Sequence, residues 1–212
     1  MHSKFALGAT IIIGILLAVT SCGGKKETEH KENPMVRQLD ETPDSALFVM
    51  LEDVEDDSII VTNLETGDIE AYYYKGAKVR GKIKGSLTKG DRFSIFPNRK
   101  EQSISIAINA TELSGRWFYD MQQHRGLKFE ERGSLSSINT STIAFREWKL
   151  LNGKLFIYYV DMQQVADDRH EFSVEEAQIK YLSKDELKFH FIGKDFDCKR
   201  EVGLLMLKDI KK

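Results

Sequence analysis

The two cysteines are the side chains in this sequence best suited to covalent chemistry, because a thiolate is a strong nucleophile. Cys22 follows an uncharged stretch, residues 5–20, and its neighbours Ser21 and Gly23 are small. Cys198 lies in a polar segment, and no His or Asn stands near it in a triad-like arrangement. The sequence therefore points to Cys22 as the site of covalent chemistry. We interpret Cys198 as a lone, half-exposed thiol, with a reactive thiol as the alternative.

The other titratable side chains do not form a recognisable reaction centre. The pairs Glu130-Glu131 and Glu175-Glu176 are adjacent, so on strands their carboxylates point to opposite faces and cannot act as an acid–base dyad. Residues 167–171 form a polar loop that could bind a cation weakly, but no further ligand is placed beside it, and a solvated loop is favoured. There is no Gly-rich phosphate loop and no nucleophile elbow. We predict no catalytic residue, no metal site, no cofactor and no enzymatic activity.

The first 21 residues have the organisation of a secretory signal. A basic start precedes the apolar run, which is shorter than the roughly 18–20 residues that a spanning helix needs. Residues 19–22, Val-Thr-Ser-Cys, resemble the lipobox of bacterial lipoproteins, in which a lipid is joined to the Cys sulfur before cleavage. The resemblance implies that Cys22 carries several acyl chains such as palmitate, which anchor the protein lastingly to the outer membrane of the cell envelope. An uncleaved membrane anchor is the alternative.

Residues 22–45 are predicted to form a flexible polar tether. They include Pro34 and Pro43 and show almost no apolar periodicity. The charged cluster at residues 25–29 is similar to the export tag on surface lipoproteins of the Bacteroidetes, although charge runs are also common in ordinary tethers. Both the periplasmic and the surface-exposed face of the membrane therefore stay open.

Composition indicates a folded body and excludes several classes of protein. The 212 residues include 31 Lys and Arg against 33 Asp and Glu, a formal charge of -2, whereas nucleic-acid binding needs a basic face. With 41% hydrophobic residues the chain can bury a core. Its 2 cysteines and 3 prolines exclude a disulfide-rich miniprotein and a zinc ribbon. We predict no nucleic-acid partner.

Residues 46–110 show the period-two alternation of half-buried strands. Ile104, Ile106 and Ile108 alternate with small or polar residues, and turn signals rich in Gly, Asp and Glu separate the segments. Six short strands without a helix are typical of a small β-barrel or an OB-like meander. The predicted strands are 46–52, 58–64, 69–75, 78–84, 92–96 and the segment around residues 104–108.

Residues 111–212 contain a second series of alternating segments, so the predicted fold class is all-β. The Asn152-Gly153 dipeptide indicates a tight hairpin turn between two of them. The predicted strands are 115–119, 128–132, 142–150, 154–162, 177–182, 187–192 and 201–208.

One segment of this second half fits either a helix or a strand. Ser173 with Glu176 would make a helix capping box. We favour a strand, because residues 179–182 would face residues 187–191 across a turn.

Several short motifs occur together in the second half. Gly115-x-Trp117 is followed, in order, by GSLSSIN, WKL and GKL at residues 133–139, 148–150 and 153–155. Together these motifs resemble the lipocalin-like domain of Bacteroidetes lipoproteins, over residues 113–208. The resemblance implies a lipocalin-like antiparallel β-barrel in which Gly115 and Trp117 close one end, with Arg200 stacked against the Trp ring.

A barrel of about eight strands is wide enough to hold one small ligand. Residues 154–162 are apolar on both strand faces, so this strand is expected to be covered on both sides. An interior of Tyr and Phe would suit a lipid, a sterol-like molecule or an aromatic metabolite. The candidate ligand-binding residues are Tyr119, Phe145, Phe156, Tyr158, Phe189 and Phe191, with plain core packing as the alternative for each.

Two hypotheses for the function follow. The leading one is a membrane-anchored bacterial lipoprotein whose lipocalin-like module binds a small hydrophobic ligand at the cell envelope. The alternative is a non-enzymatic scaffold protein with a filled barrel, whose outer faces dock a protein or glycan partner of the envelope. The two hypotheses differ in whether the second barrel encloses a cavity of several hundred Å³.

Overall fold

The computed structural model describes residue 39 and residues 43–140, 142–162 and 172–200. Within these ranges, fourteen strands form two sheets and two short segments are helical, which confirms the predicted all-β class. The predicted signal, the lipid attachment site Cys22, most of the tether and the predicted strand 201–208 lie outside the described residues.

The first sheet is a small closed barrel, as predicted for residues 46–110. β1, β2 and β3 form an antiparallel meander, β5 pairs with β1, and β6 pairs with β5. A parallel pairing of Tyr73 with Ser103 joins β3 to β6 and closes a ring of five strands, while β4 adds to β6 in parallel. The strands are β1 (Leu47–Val54), β2 (Ser58–Asn63), β3 (Ile69–Tyr73), β4 (Ile83–Lys84), β5 (Arg92–Asn98) and β6 (Ser103–Asn109).

The predicted strand 78–84 is wrong over residues 78–82, since β4 comprises only residues 83 and 84, and the prediction of a barrel without a helix is wrong as well. The single helical turn α1 (Lys75–Val79) lies between β3 and β4. Its Ala77 is 2% exposed and packs into the core of the first barrel, and Lys78 N donates to Tyr74 O at 2.9 Å. Because Ala77 covers an apolar core, tertiary packing overrides the weak strand pattern of this segment.

A bulge in β6 divides its isoleucines between two cores. The pairing with β5 shifts by one residue between Ile104 and Ile106, so Ser105 has no partner on β5. One extra residue moves every later side chain to the other face of a strand. Ile104 therefore packs inside the first barrel, whereas Ile106 and Ile108 pack against the second one. Simple alternation had predicted a shared face for all three.

A buried polar junction connects the two sheets. The short helix α2 (Ala110–Leu113) follows β6, and the Asn109 side chain accepts from Glu112 N at 2.8 Å as its N-cap. Asn109 Nδ2 donates to Ser86 O at 2.9 Å and to Asp91 Oδ2 at 2.7 Å. Asn109 is fully buried, and these bonds satisfy its polar atoms. The predicted domain boundary at residue 110 falls within this helix.

The second sheet is an antiparallel, nearly closed barrel. β14 returns to pair with β7 through Arg200 and Trp117. β9 and β10 form no continuous ladder: an isolated bridge joins Ser134, just before β9, to Glu147, and Ser137 Oγ donates to Ile143 O at 2.9 Å. The strands are β7 (Gly115–Asp120), β8 (Arg125–Phe129), β9 (Leu135–Ile138), β10 (Ile143–Leu151), β11 (Lys154–Asp161), β12 (Ser173–Leu182), β13 (Glu186–Phe191) and β14 (Lys194–Arg200).

Two strands of this barrel were not predicted. The ambiguous segment at Ser173 is a strand, as favoured, but β9 and β14 lie where no strand was expected. β14 has the sequence KDFDCKR, in which only Phe196 and Cys198 are apolar, because its outward face is charged. The predicted strand 128–132 is also shifted, since β8 already ends at Phe129 before a turn at Gly133 with φ +92°.

Candidate functional site

One end of the second barrel is closed by Arg200 and Trp117. The Trp117 ring is fully buried, and its Nε1 donates to Leu113 O at 2.8 Å. The Arg200 guanidinium carbon lies 4.3 Å from the ring centroid, which is a close cation–π contact. Arg200 also donates from Nη1 to Ser114 O at 2.9 Å, from Nε to Lys184 O at 2.5 Å and from Nη2 to Glu112 O.

Gly115 is required by this closure. Its φ is +123°, and a Cβ atom built on it would lie only 2.5 Å from Arg200 Nη1. Burial lowers the pKa of the Arg200 guanidinium, an effect that the carboxylates of Glu112 and Asp185 oppose. The structure therefore brings Gly115, Trp117 and Arg200 together around the Arg200 guanidinium. Their role is structural, since the Arg200 guanidinium donates to three backbone carbonyls that hold this end of the barrel together.

Three of the candidate ligand residues point into the second barrel. Phe189 and Phe191 are 0% and 1% exposed, and Phe145 is 6% exposed. The Phe145 and Phe191 rings lie 5.9 Å apart, while Phe189 stacks on Phe196 at 4.8 Å. Tyr119 lies at the edge of this cluster, with its ring 5.5 Å from that of Phe196. These rings contact one another rather than an open space.

The interior of the second barrel is filled by its own side chains. Leu113, Trp117, Leu127, Ile157 and Leu187 all have no exposed surface. A gap wide enough for water would leave accessible surface on the side chains around it. Among the described interior residues there is therefore no room for the ligand cavity that the leading hypothesis places there.

The other two candidate residues, Phe156 and Tyr158, lie outside the barrel. They alternate along β11 with the inward-facing Leu155 and Ile157, so they belong to its outer face. Tyr158 is 6% exposed and forms an outer cluster with Val174, Phe156 and Leu39. The outer face of the strand is thus covered at Tyr158, as its apolar pattern predicted, whereas Phe156 stays half-buried.

A groove of about 530 Å³ opens on this outer face. It lies at the seam between β9 and β10, where the second barrel is not closed, and β1 of the first barrel borders it through Phe48. Phe48 is 38% exposed, although it is a large apolar side chain. The apolar side chains that line it include Leu39, Phe48, Trp148, Leu150, Phe156 and Tyr158.

Charged groups of both signs stand at the rim of this groove. Lys149 Nζ lies 4.9 Å from the centroid of the Tyr158 ring, so a cation already covers one aromatic face. Arg132 and Glu147 line the groove as well, and Glu131 accepts a hydrogen bond from Arg92 Nη2 at 2.5 Å. The groove therefore offers aromatic and aliphatic surface beside a rim of mixed charge, which suits an amphipathic ligand.

The segment before β1 is fastened to the second barrel at the β10–β11 turn. Ser45 N donates to Asn152 Oδ1 at 2.8 Å, Asn152 N donates to Asp44 Oδ1 at 3.0 Å, and Asn152 Nδ2 donates to Pro43 O at 3.1 Å. Asn152 and Gly153 both have positive φ, at 51° and 76°, as the predicted tight turn requires. The last residues of the predicted tether thus form a fixed attachment, which we call the Asn152 clamp.

Sequence reasoning missed Phe48, Trp148 and the Asn152 clamp as parts of this region. Phe48 left a signal, since it alternates with the buried Val49 and is therefore an apolar residue at an outward position. The sequence contains no specific signal for the clamp, because Asp44 and Asn152 are 108 residues apart in the chain.

Cys198 is buried and not half-exposed as predicted. It is 0% exposed inside the second barrel, and burial, with a smaller effect of Asp197, raises the pKa of the thiol to about 12. The thiolate that a nucleophile requires is therefore not formed near neutral pH. The described residues contain no group of three or more His, Cys, Asp or Glu side chains that could hold a metal ion. The polar loop at residues 167–171 lies outside them.

In the described part of the chain, the helices are too short and too polar to cross a bilayer.

Comparisons with known proteins found a family model and a solved structure that are similar to part of this chain. A crystal structure of a lipocalin-like protein from Bacteroides thetaiotaomicron is similar at 25% sequence identity and a TM-score of 0.36, over 42% of this chain and 96% of that chain. No curated protein matches the sequence significantly. Residues 109–201, which comprise α2 and β7 to β14, match the model of the lipocalin-like family, and the second barrel is thus similar in sequence to that family.

Proposed function

We propose that this protein is a membrane-anchored, non-enzymatic binding protein of the cell envelope that takes up a small amphipathic ligand in its outer groove. The observation that carries the proposal is the 530 Å³ groove beside a filled barrel interior. Its volume lies within the range of about 300–1,000 Å³ that is usual for small-molecule sites. A lipid, a sterol-like molecule or an aromatic metabolite with one polar group fits its lining.

The chemistry of the lining supports a ligand with an apolar face and a polar end. Phe48 and Phe156 offer ring surface from two different barrels, so a flat or elongated apolar group would be contacted on two sides. Burial of about 100 Å² of such surface would contribute roughly 2.5 kcal/mol to binding. Lys149 and Arg132 at the rim provide donors for a carboxylate, phosphate or carbonyl group.

The membrane anchor belongs to the same proposal. It rests on the lipobox-like residues 19–22 and places the acyl chains on Cys22 of an outer-membrane lipoprotein. Metabolic labelling of the expressing cells with an alkyne analogue of palmitate tests it. We expect label on the wild-type protein and none on Cys22→Ser, while Cys198→Ser keeps the label. Labelling of Cys22→Ser to the wild-type level would contradict the anchor.

A fluorescence titration with 1-anilinonaphthalene-8-sulfonate, which has an aromatic face and one anionic group, tests the groove. We expect saturable binding to the wild-type protein and a Kd about tenfold higher for Phe156→Ala, which corresponds to a loss of about 1.4 kcal/mol. Tyr73→Ala is the matched control, because Tyr73 is 56% exposed on the first barrel and does not line the groove. Absence of saturable binding, or an equal loss in both variants, would overturn this function.

A second candidate function is a scaffold that docks a protein or glycan partner of the envelope. The filled interior favours it, since the barrel is then a rigid body that presents its outer faces. In-cell crosslinking followed by mass spectrometry tests this candidate. Stoichiometric recovery of one envelope partner, together with no probe binding, would favour the scaffold over the ligand-binding protein.

A further inference from the structure

A stretch of the first barrel carries only positive charge. Residues 71–90 contain six Lys and Arg side chains and no Asp or Glu, in a chain whose formal charge is -2. Like charges at this density repel one another, so such a stretch lowers stability unless negative charge is brought to it. α1 and β4 both lie within it.

Half of these cations line a cleft between the two barrels, which shares no lining residue with the outer groove. This inter-barrel cleft has a volume of about 350 Å³. Arg80, Lys82 and Lys84 of the first barrel stand on one wall, and Lys154 of β11 stands on the other. Ile106 and Ile179 provide apolar surface between the walls, while Ile108 and Leu155 are almost fully buried. The cleft thus combines a cationic rim with an apolar floor.

The backbone holds the cationic rim in place before any ligand arrives. Ala107 N donates to Lys82 O at 3.1 Å, and the β4 residue Lys84 pairs with Ile108 of β6. Lys84 Nζ donates to the backbone carbonyl of Lys180 on β12 at 3.2 Å, so this side chain already spans the two barrels. A site whose groups are fixed in advance loses less conformational entropy on binding.

More cationic than anionic side chains line the inter-barrel cleft. Glu176 is the one carboxylate that lines it, and Lys154 Nζ lies 2.6 Å from its Oε2. Among the described residues, no carboxylate is paired with Arg80, Lys82 or Lys84. Burial and, to a smaller extent, the charge of Lys82 lower the pKa of Lys84. A bound anion would supply the missing charge.

We propose that the inter-barrel cleft binds a phosphate-bearing anion, with Arg80, Lys82 and Lys84 as its ligands. A phosphate group carries up to two charges on three oxygens, so it can accept from all three side chains at once. Arg binds it through two parallel N–H groups and Lys as a point charge. The apolar floor suits the organic part that carries the phosphate. Free diphosphates and lipid headgroups share this chemistry.

Isothermal titration calorimetry on the full chain in an uncharged detergent tests the site with two probes, inorganic pyrophosphate and sn-glycerol 1-phosphate. We expect saturable binding of at least one probe to the wild-type protein. The double variant Lys82→Gln/Lys84→Gln is expected to raise its Kd about tenfold or more, because two charged donors are lost. The matched control is Arg99→Gln/Lys100→Gln, which removes the same charge at the exposed turn between β5 and β6, and its Kd is expected to stay within about twofold of wild type.

The outcomes separate the two sources of phosphate. Tighter binding of pyrophosphate supports a free diphosphate, and tighter binding of glycerol phosphate supports a lipid headgroup. An equal rise of the Kd in the control variant would show that only the overall charge matters and would overturn the site, as would the absence of saturable binding of both probes. The groove titration with the aromatic probe is independent of this result, since no residue of the cationic rim lines the outer groove.

Discussion

Replacement of Gly115 by alanine is the sharpest test of how the second barrel is closed. The new Cβ would meet Arg200 Nη1 at 2.5 Å, and alanine would have to adopt a φ of +123°. Two costs therefore coincide at one position, backbone strain and displacement of the guanidinium from Trp117 and its carbonyl acceptors. They can be separated, because the second cost disappears when Arg200 is already absent.

The magnitudes follow from the contacts. Backbone strain costs about 2–3 kcal/mol and the disturbed hydrogen bonds of Arg200 about 1–2 kcal/mol, so Gly115→Ala is expected to cost about 3–5 kcal/mol. Arg200→Ala removes the bonds to Ser114 O and Lys184 O and the cation–π contact, for a cost of about 2–3 kcal/mol. The double variant Gly115→Ala/Arg200→Ala should lose about 1–2 kcal/mol less unfolding free energy than the sum of the two single variants, because the Arg200 contacts can be lost only once.

Urea unfolding followed by tryptophan fluorescence measures these values. The 2 tryptophans of the chain, Trp117 and Trp148, both belong to the second barrel, so the signal reports the unfolding of that barrel. Gly193→Ala is the control, since its φ is +67° but a Cβ there meets open space, and it should cost only about 1–2 kcal/mol. Strict additivity of the double variant, or a Gly115→Ala cost no larger than that of Gly193→Ala, would refute the closure argument.

Three further predictions concern the core and the clamp. Burial raises the pKa of Cys198 in the folded protein from 9.0 to about 12, so the stabilising contribution of the protonated thiol is fully present below about pH 9 and is lost as the pH rises to about 12. In urea unfolding experiments, Cys198→Ala should make the decline of the unfolding free energy over this pH range less steep. An unchanged slope would contradict the prediction. Phe189→Ala should lower the unfolding free energy by about 3–5 kcal/mol, since it opens a cavity in a filled interior; a loss below about 1 kcal/mol would mean that the interior is not tightly packed. Asn152→Ala should increase tryptic cleavage on the N-terminal side of β1 without unfolding either barrel, as shown by mass spectrometry of the fragments, and an unchanged cleavage rate would speak against the Asn152 clamp.

The all-β class and the small first barrel followed from the sequence because alternation reports directly which strand faces are buried. Alternation fails where the register changes. The bulge at Ser105 sends Ile106 to a different core from Ile104, and one residue decides that outcome. Likewise, α1 forms because Ala77 fits the core of a barrel that exists only after folding. Local patterns carry no information about such long-range packing.

Of the residues that line the candidate groove, the sequence singled out only Phe156 and Tyr158 as ligand-binding candidates, and it placed them inside the barrel instead of on its outer face. The apolar pattern of β11 predicted cover on both faces, which holds at Tyr158 but not at Phe156, and it did not reveal which face holds the filled core. Phe145 and Phe191 pack against each other inside, and that packing leaves the outer face of Phe156 as the side with open space. The two rings of such a packed pair belong to strands far apart in the sequence. Only the folded structure therefore distinguishes an aromatic side chain that packs in the core from one that lines the groove.

The Asn152 clamp has a mechanical consequence. When a protein is anchored to a membrane at its N-terminal end, as proposed for this one, a force on the folded barrels acts as tension along the segment before β1. Three hydrogen bonds, at Pro43, Asp44 and Ser45, would transfer this tension to the turn between β10 and β11 before it reaches β1. The force would therefore act on both barrels at the same time. In a force-extension measurement, we expect a small rupture of the Asn152 clamp first and the separation of β1 from its neighbouring strands afterwards.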